Sequence, residues 1–145
     1  MGLFKNLVGG SNFPNNEPEA VLGVLMSVIA ADGEISQEEA DAFMYLANRT
    51  RSLGPMPQQP FWNHVETCKS ILRREGPGAL LAKCAPLISG EKRRALFINS
   101  CDLVMRDGRV EQEEEALIEV LQTSLSLDDA FAREAVSFVL TKYSL

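Results

Sequence analysis

One stretch of eight residues occurs twice in this chain, and it carries the side-chain oxygens best spaced for chemistry. Asp32-Gly33-Glu34-Ile35-Ser36-Gln37-Glu38-Glu39 matches Asp107-Gly108-Arg109-Val110-Glu111-Gln112-Glu113-Glu114 at five of eight positions, and Ile35 pairs with Val110. The shared D-G-x-[IV]-x-x-x-E spacing equals the second half of a calcium-binding EF-hand loop. In such a loop the Asp is the fifth position, Gly the sixth, the apolar residue the eighth and Glu the twelfth. The first half has no counterpart. Its ligand positions would fall on Val28 and Ala30, or on Leu103 and Met105, and none of these side chains ligates a hard cation. Helix is expected there instead. One copy therefore offers about two carboxylates plus carbonyls, where calcium takes roughly six to eight oxygens. Either water completes each site, or the two copies converge and share Asp32, Glu39, Asp107 and Glu114. Four clustered carboxylates repel one another, and a divalent cation, calcium first among candidates, would relieve that repulsion.

Each feature of the repeat also has a purely structural reading. Gly33 and Gly108 follow helical patterns and suit left-handed C-terminal caps. Ile35 and Val110 suit the plug of a hairpin corner. Asp32 and Asp107 would stand at the negative end of a helix dipole, which costs about 0.3–1 kcal/mol without compensation. A following turn that donates backbone N–H groups compensates as well as a cation does. Ser36 and Glu39 form an S-x-x-E capping box. Glu111 is a weak cap, yet Glu114 is present there too. Arg106 stands where Ala31 stands in the first copy, and its charge beside Asp107 offsets the dipole penalty without metal.

Around the repeat the apolar residues follow helical periods only, with no sustained alternation of strand type. Pro14, Asn15 and Asn16 separate a tail (residues 1–16) from a helical domain (residues 17–145). Helix one is expected from about Glu17 to Ala31, with Val21, Leu22, Leu25, Val28 and Ile29 on one face. Helix two follows Ser36, with Phe43, Leu46 and Ala47 inward, and stops at a loop holding Gly54, Pro55, Pro57 and Pro60. Helix three starts near Phe61, and its stripe is Phe61, Val65, Cys68 and Leu72. A short fourth helix begins at Pro77 and ends at Pro86. Helix five, capped by Ser89, carries Leu96, Phe97, Val104 and Met105. Helix six follows Glu111 with Leu117, Val120 and Leu121. Helix seven opens on a Ser126–Asp129 capping box and points Phe131, Ala135, Phe138 and Val139 inward. The fold class is thus all-α, a compact bundle of about seven short helices. It has two pseudo-repeated helix–turn–helix hairpins and a helical insert between them, with a pseudo-twofold axis as the natural relation.

Composition narrows the function. In 145 residues the net charge is −6, which argues against nucleic acid as a partner. The longest apolar stretch, Ala20–Ala31, is too short to span a bilayer. Cys68, Cys84 and Cys101 are odd in number and lack C-x-x-C spacing, so buried thiols in a reducing, cytoplasmic setting are expected. The acids concentrate in the two hairpins. Residues 61–94, by contrast, carry seven Lys/Arg against Glu66, Glu75 and Glu91. This positive side suits an acidic partner, RNA or lipid headgroups, with ordinary solvated surface the plainer reading.

Other chemistries lack parts. His64 and Cys68 lie four apart on helix three, but two ligands do not make a zinc site. A boundary histidine beside a buried thiol is the plainer reading. Trp62 could anchor a docked peptide, with half-buried core the plainer reading; Met26, Met44, Met56 and Met105 could line a target-binding groove, with core filler the plainer reading. With a single His, no G-x-S-x-G and no phosphate loop, the chain reads as a non-enzyme.

At Ala30-Ala31-Asp32-Gly33-Glu34-Ile35-Ser36-Gln37-Glu38-Glu39, and at Met105-Arg106-Asp107-Gly108-Arg109-Val110 through Glu114, the chain resembles the TerB-like (tellurite-resistance B) family of small helical bacterial proteins. The resemblance extends over the helical pattern from about Glu17 to Tyr143. It implies an all-α fold of two related hairpins and an acidic metal-binding surface, calcium leading, with the family's acids falling on Asp32, Glu39, Asp107 and Glu114. It also implies a role in tellurite or general stress resistance, within a membrane-linked complex at the inner membrane face. Two classes of function stay open: a cation-responsive acidic module, and a helical adaptor whose DG motifs only shape the hairpins.

Overall fold

The chain from Glu19 to Ile29 has no residue that faces water, and the rest of the molecule is arranged around it. The computed structural model describes residues 12–31, 33–106 and 108–145. Among them are seven α-helices and no strand: α1 (Glu17–Ile29), α2 (Gln37–Arg49), α3 (Gln58–Glu75), α4 (Pro77–Cys84), α5 (Gly90–Met105), α6 (Gln112–Ser124) and α7 (Asp129–Lys142). A 3-10 turn, Ala85–Leu87, joins α4 to α5.

The Asn16 side chain starts α1 by accepting the Glu19 amide at 3.0 Å. The sequence pattern assigned α1 one apolar face. The structure buries every face, because α2, α3, α4, α5 and α6 all pack on it. A helix apolar all round belongs at the centre of a bundle. Its tightest neighbour is α4. Gly23 makes this possible: a Cβ there would lie 2.3 Å from the Cys84 sulfur. The core also reaches upstream of Glu17, since Phe13 is buried, with its ring 5.7 Å from that of His64. Residues 1–11 of the expected tail lie outside the described residues.

Several helices differ in detail from the sequence expectations. Helix α3 begins at Gln58, before Phe61, and takes Pro60 into its first turn, where a missing N–H costs nothing. Its buried stripe of Phe61, Val65 and Cys68 continues to Ile71, leaving Leu72 half-buried. Gly76, at φ +89°, ends α3 and starts α4 in one residue, with Pro77 in the first helical position. Ser89 caps α5 without a side-chain bond. Its amide instead donates to Glu17 Oε2 at 2.6 Å, and Lys92 Nζ reaches Glu17 Oε1 at 2.8 Å. This clamp ties the starts of α1 and α5 together.

Helix α6 buries Leu117, Ile118 and Leu121, and Val120 faces out. The expected Ser126–Asp129 capping box does not form. Ser126, at φ +56°, instead closes α6, donating its amide to Thr123 O while the Leu127 amide bonds Gln122 O, both at 3.0 Å. Asp128 is the cap of α7, accepting the Phe131 amide at 2.7 Å. Helix α7 rests on α5 through Ala132, Ala135 and Val139. Phe131 is half-buried, and Phe138, expected inward, is 73% exposed. Asp102 of α5 pins the end of α7 through Lys142, at 2.7 Å, and the Tyr143 hydroxyl. The methionines behave as core filler: Met26 and Met105 are buried, and Met44 and Met56 pack half-buried against the core.

Candidate functional site

The two corners built from the repeated stretch use the same backbone bonds. Gly33, at φ +92°, donates its amide to Ala30 O at 2.9 Å; Gly108, at φ +78°, donates to Met105 O at 2.9 Å. Both need the left-handed region that glycine enters freely. Ile35 and Val110 then pack half-buried against the core, plugging each corner as expected. The Ser36 amide donates to Glu39 Oε1 at 2.9 Å, and the Glu111 amide donates to Glu114 Oε1 at 2.8 Å. Val28, Leu103 and Met105, where an EF-hand would begin, are buried helical residues.

Packing brings the two corners to one groove. A cavity of about 770 Å³ is lined by Glu38, Glu39, Asp41, Ala42 and Tyr45 on α2, by Leu103 and Val104 on α5, and by Ser36, Arg106, Glu111 and Glu114 at the turns and first turn of α6. Glu39 and Glu114, the matching acids of the two copies, thus share a single cavity with three further carboxylates and one guanidinium. Asp32 and Asp107 lie outside the described residues. Among the described residues, no group of three or more His, Cys, Asp or Glu is close enough to hold a metal ion.

Four lining residues, Glu38, Asp41, Tyr45 and Glu111, were not among the expected ligands. Glu38, Asp41, Ala42 and Tyr45 follow the i, i+3, i+4, i+7 spacing of one helix face, so part of the wall was readable from α2 alone. Arg49 covers the Tyr45 ring at 3.9 Å from its centroid, which holds that ring at the exposed edge of the groove.

The remaining reactive groups are structural. Cys68, Cys84 and Cys101 are free and buried. Burial pushes the thiols of Cys84 and Cys101 up to about 12, and that of Cys68 upward too, so none serves as a thiolate at neutral pH. His64 Nε2 lies 3.5 Å from Glu19 Oε2, and Glu19 Oε1 accepts the Asn15 amide at 3.0 Å. Buried Glu19 escaped the sequence reading, although Asn16-x-x-Glu19 has the spacing of a cap pair. No family model, curated protein or solved structure matches the chain. The reading of the groove therefore rests on its own residues.

Proposed function

We propose that this chain is a non-enzymatic, TerB-like module of tellurite or general stress resistance whose acidic groove takes a divalent cation, calcium first. The observation that carries the reading is that Glu39 and Glu114 line one cavity together with Glu38, Asp41 and Glu111. Carboxylates are the hard-oxygen donors that calcium, magnesium and manganese accept, and five of them line this space, although no three described ones stand close enough together to hold an ion without Asp32, Asp107 or water completing the set. Among the described residues, Arg106 is the one cation that lines the cavity. Asp32 and Asp107 are the ligands that would extend this set at each corner, with the hairpins related by a pseudo-twofold axis. A titration of calcium followed by amide NMR tests the proposal. Shifts centred on Gly33 and Gly108, lost in D32N/D107N with little change in stability, are expected. No shift at either glycine at millimolar calcium, magnesium or manganese refutes it.

A second reading, a helical adaptor, is favoured by one specific observation. Glu39 and Glu114 each place Oε1 on the amide that opens their helix, so capping accounts for both without a ligand. The adaptor reading expects D32N/D107N to leave partner pull-down unchanged, and expects no cation to alter melting. An acidic or membrane-associated protein is the partner class it would serve. Among the described residues no helix is long and apolar enough to cross a membrane.

A further inference from the structure

A second cavity, of about 860 Å³, lies between α6 and α7 and is independent of the acidic groove. Both helices rest on α5, which supplies the floor with buried Phe97 and Met105. The walls are two continuous helical seams. On α7 they run Asp129, Ala132/Arg133, Val136/Ser137 and Leu140/Thr141; on α6 they run Glu115, Ile118/Glu119 and Gln122/Thr123. Such i, i+3, i+4 rows are what a helix presents to a packing neighbour. Here the two rows flank open space. The seam on α7 spans 13 residues, Asp129 to Thr141, which at 1.5 Å per residue is between three and four turns, or ~20 Å.

The rim has a charge pattern that selects the occupant. Glu115 and Glu119 stand four apart on the α6 side, a like-charge pair that repels on one helix face. Neither is in an ion pair among the described residues. The α7 side carries Asp129, whose Oδ1 accepts from Gln122 Nε2 at 2.6 Å, and Arg133. A visitor with cations along one flank answers the unpaired acids of α6. A second copy of this chain, at net charge −6, brings the wrong sign overall.

We infer that the α6–α7 groove docks an amphipathic helix of a partner protein, with apolar residues at helical spacing set on Val136 and Leu140 above the buried floor, and with Lys or Arg along the flank that faces Glu115 and Glu119. This is recognition of the helix-in-groove type, in which apolar anchors give affinity and the charged flank gives orientation. It does not depend on the cation reading.

The test is selection of a displayed helical-peptide library, randomised at seven positions of a 14-residue Ala-rich scaffold, against the immobilised full chain. Enrichment of apolar residues at helical spacing with Lys/Arg on one flank is expected. E115K/E119K, on an exposed helix face, should weaken the selected peptides at least tenfold while leaving the melting temperature within about 2 °C. L140E should abolish binding, and amide shifts in the unsubstituted chain should map to Val136 and Leu140. Any of four results overturns the proposal: no enrichment, enrichment of acidic flanks, affinity unchanged in E115K/E119K, or sedimentation showing a dimer that L140E dissociates.

Discussion

Gly23 sits in the middle of α1, where alanine would ordinarily add about 1 kcal/mol of stability by restricting the unfolded chain and favouring helix. In this protein the substitution G23A should destabilise. The new Cβ would lie 2.3 Å from Cys84 Sγ, 3.3 Å from Phe13 Cε1 and 3.6 Å from Leu80 Cδ1. The first distance is more than 1 Å inside contact, and the Cys84 sulfur is fully buried. Overpacking of this kind costs about 1–3 kcal/mol, which exceeds the helix gain at most values in that range. C84A removes the obstructing atom, so G23A in that background should recover its helix benefit. The two substitutions should therefore couple by about 1–3 kcal/mol. Urea unfolding measures each of the four chains, with the shift read in the midpoint at constant slope. A G23A chain as stable as the parent, or additivity within about 0.5 kcal/mol, would show that α1 and α4 do not approach as closely as described.

Glu17 should give a pH-dependent contribution to stability. The Lys92 ammonium and the Ser89 amide hold its carboxyl down from 4.5 to about 2. Because the folded value is depressed, the benefit is present above about pH 4.5 and is lost as pH falls towards 2. The side chain is 22% exposed, so after solvent screening E17Q should cost about 1–2 kcal/mol at pH 7 and progressively less below pH 4.5 in urea melts. S126G should raise stability by about 1 kcal/mol, since Ser126 closes α6 at a positive φ that glycine adopts without strain. The three cysteines should resist a thiol reagent in the folded protein and react together once urea unfolds it, because burial keeps them protonated.

The helices were legible because each apolar period has only one partner in φ/ψ space, and the Gly and Pro residues between them punctuate the chain. The faces were less so. In α7 the larger side chains Phe131 and Phe138 drew the inward stripe towards themselves, yet α7 packs on α5 through small residues, Ala132 and Ala135 with Val139. Close approach of two helices favours alanine, and Phe138 is turned away from it. In α1 the period could not choose a face because five neighbours surround the helix. Ser126 was misassigned because Ser serves a helix start far more often than it enters the left-handed region. Within the candidate site, Glu39 and its capping bond followed from local spacing. That Glu39 and Glu114 share a cavity did not, since it depends on how α2 and α6 are each placed on α5, a tertiary relation that no local period encodes.

The acidic groove is tested most directly by melting temperature in calcium, magnesium and manganese, for the unsubstituted chain and for E39Q/E114Q. Glutamine keeps the oxygen that caps each helix, so this pair removes charge while sparing the local fold. A cation at a hundred times its dissociation constant adds about 2.7 kcal/mol to a folded state that alone binds it. For a domain of this size that is a rise of about 5–10 °C. Calcium should give this rise in the unsubstituted chain and little of it in E39Q/E114Q; melting temperatures that are the same with each of the three cations as without any would refute cation binding in the groove.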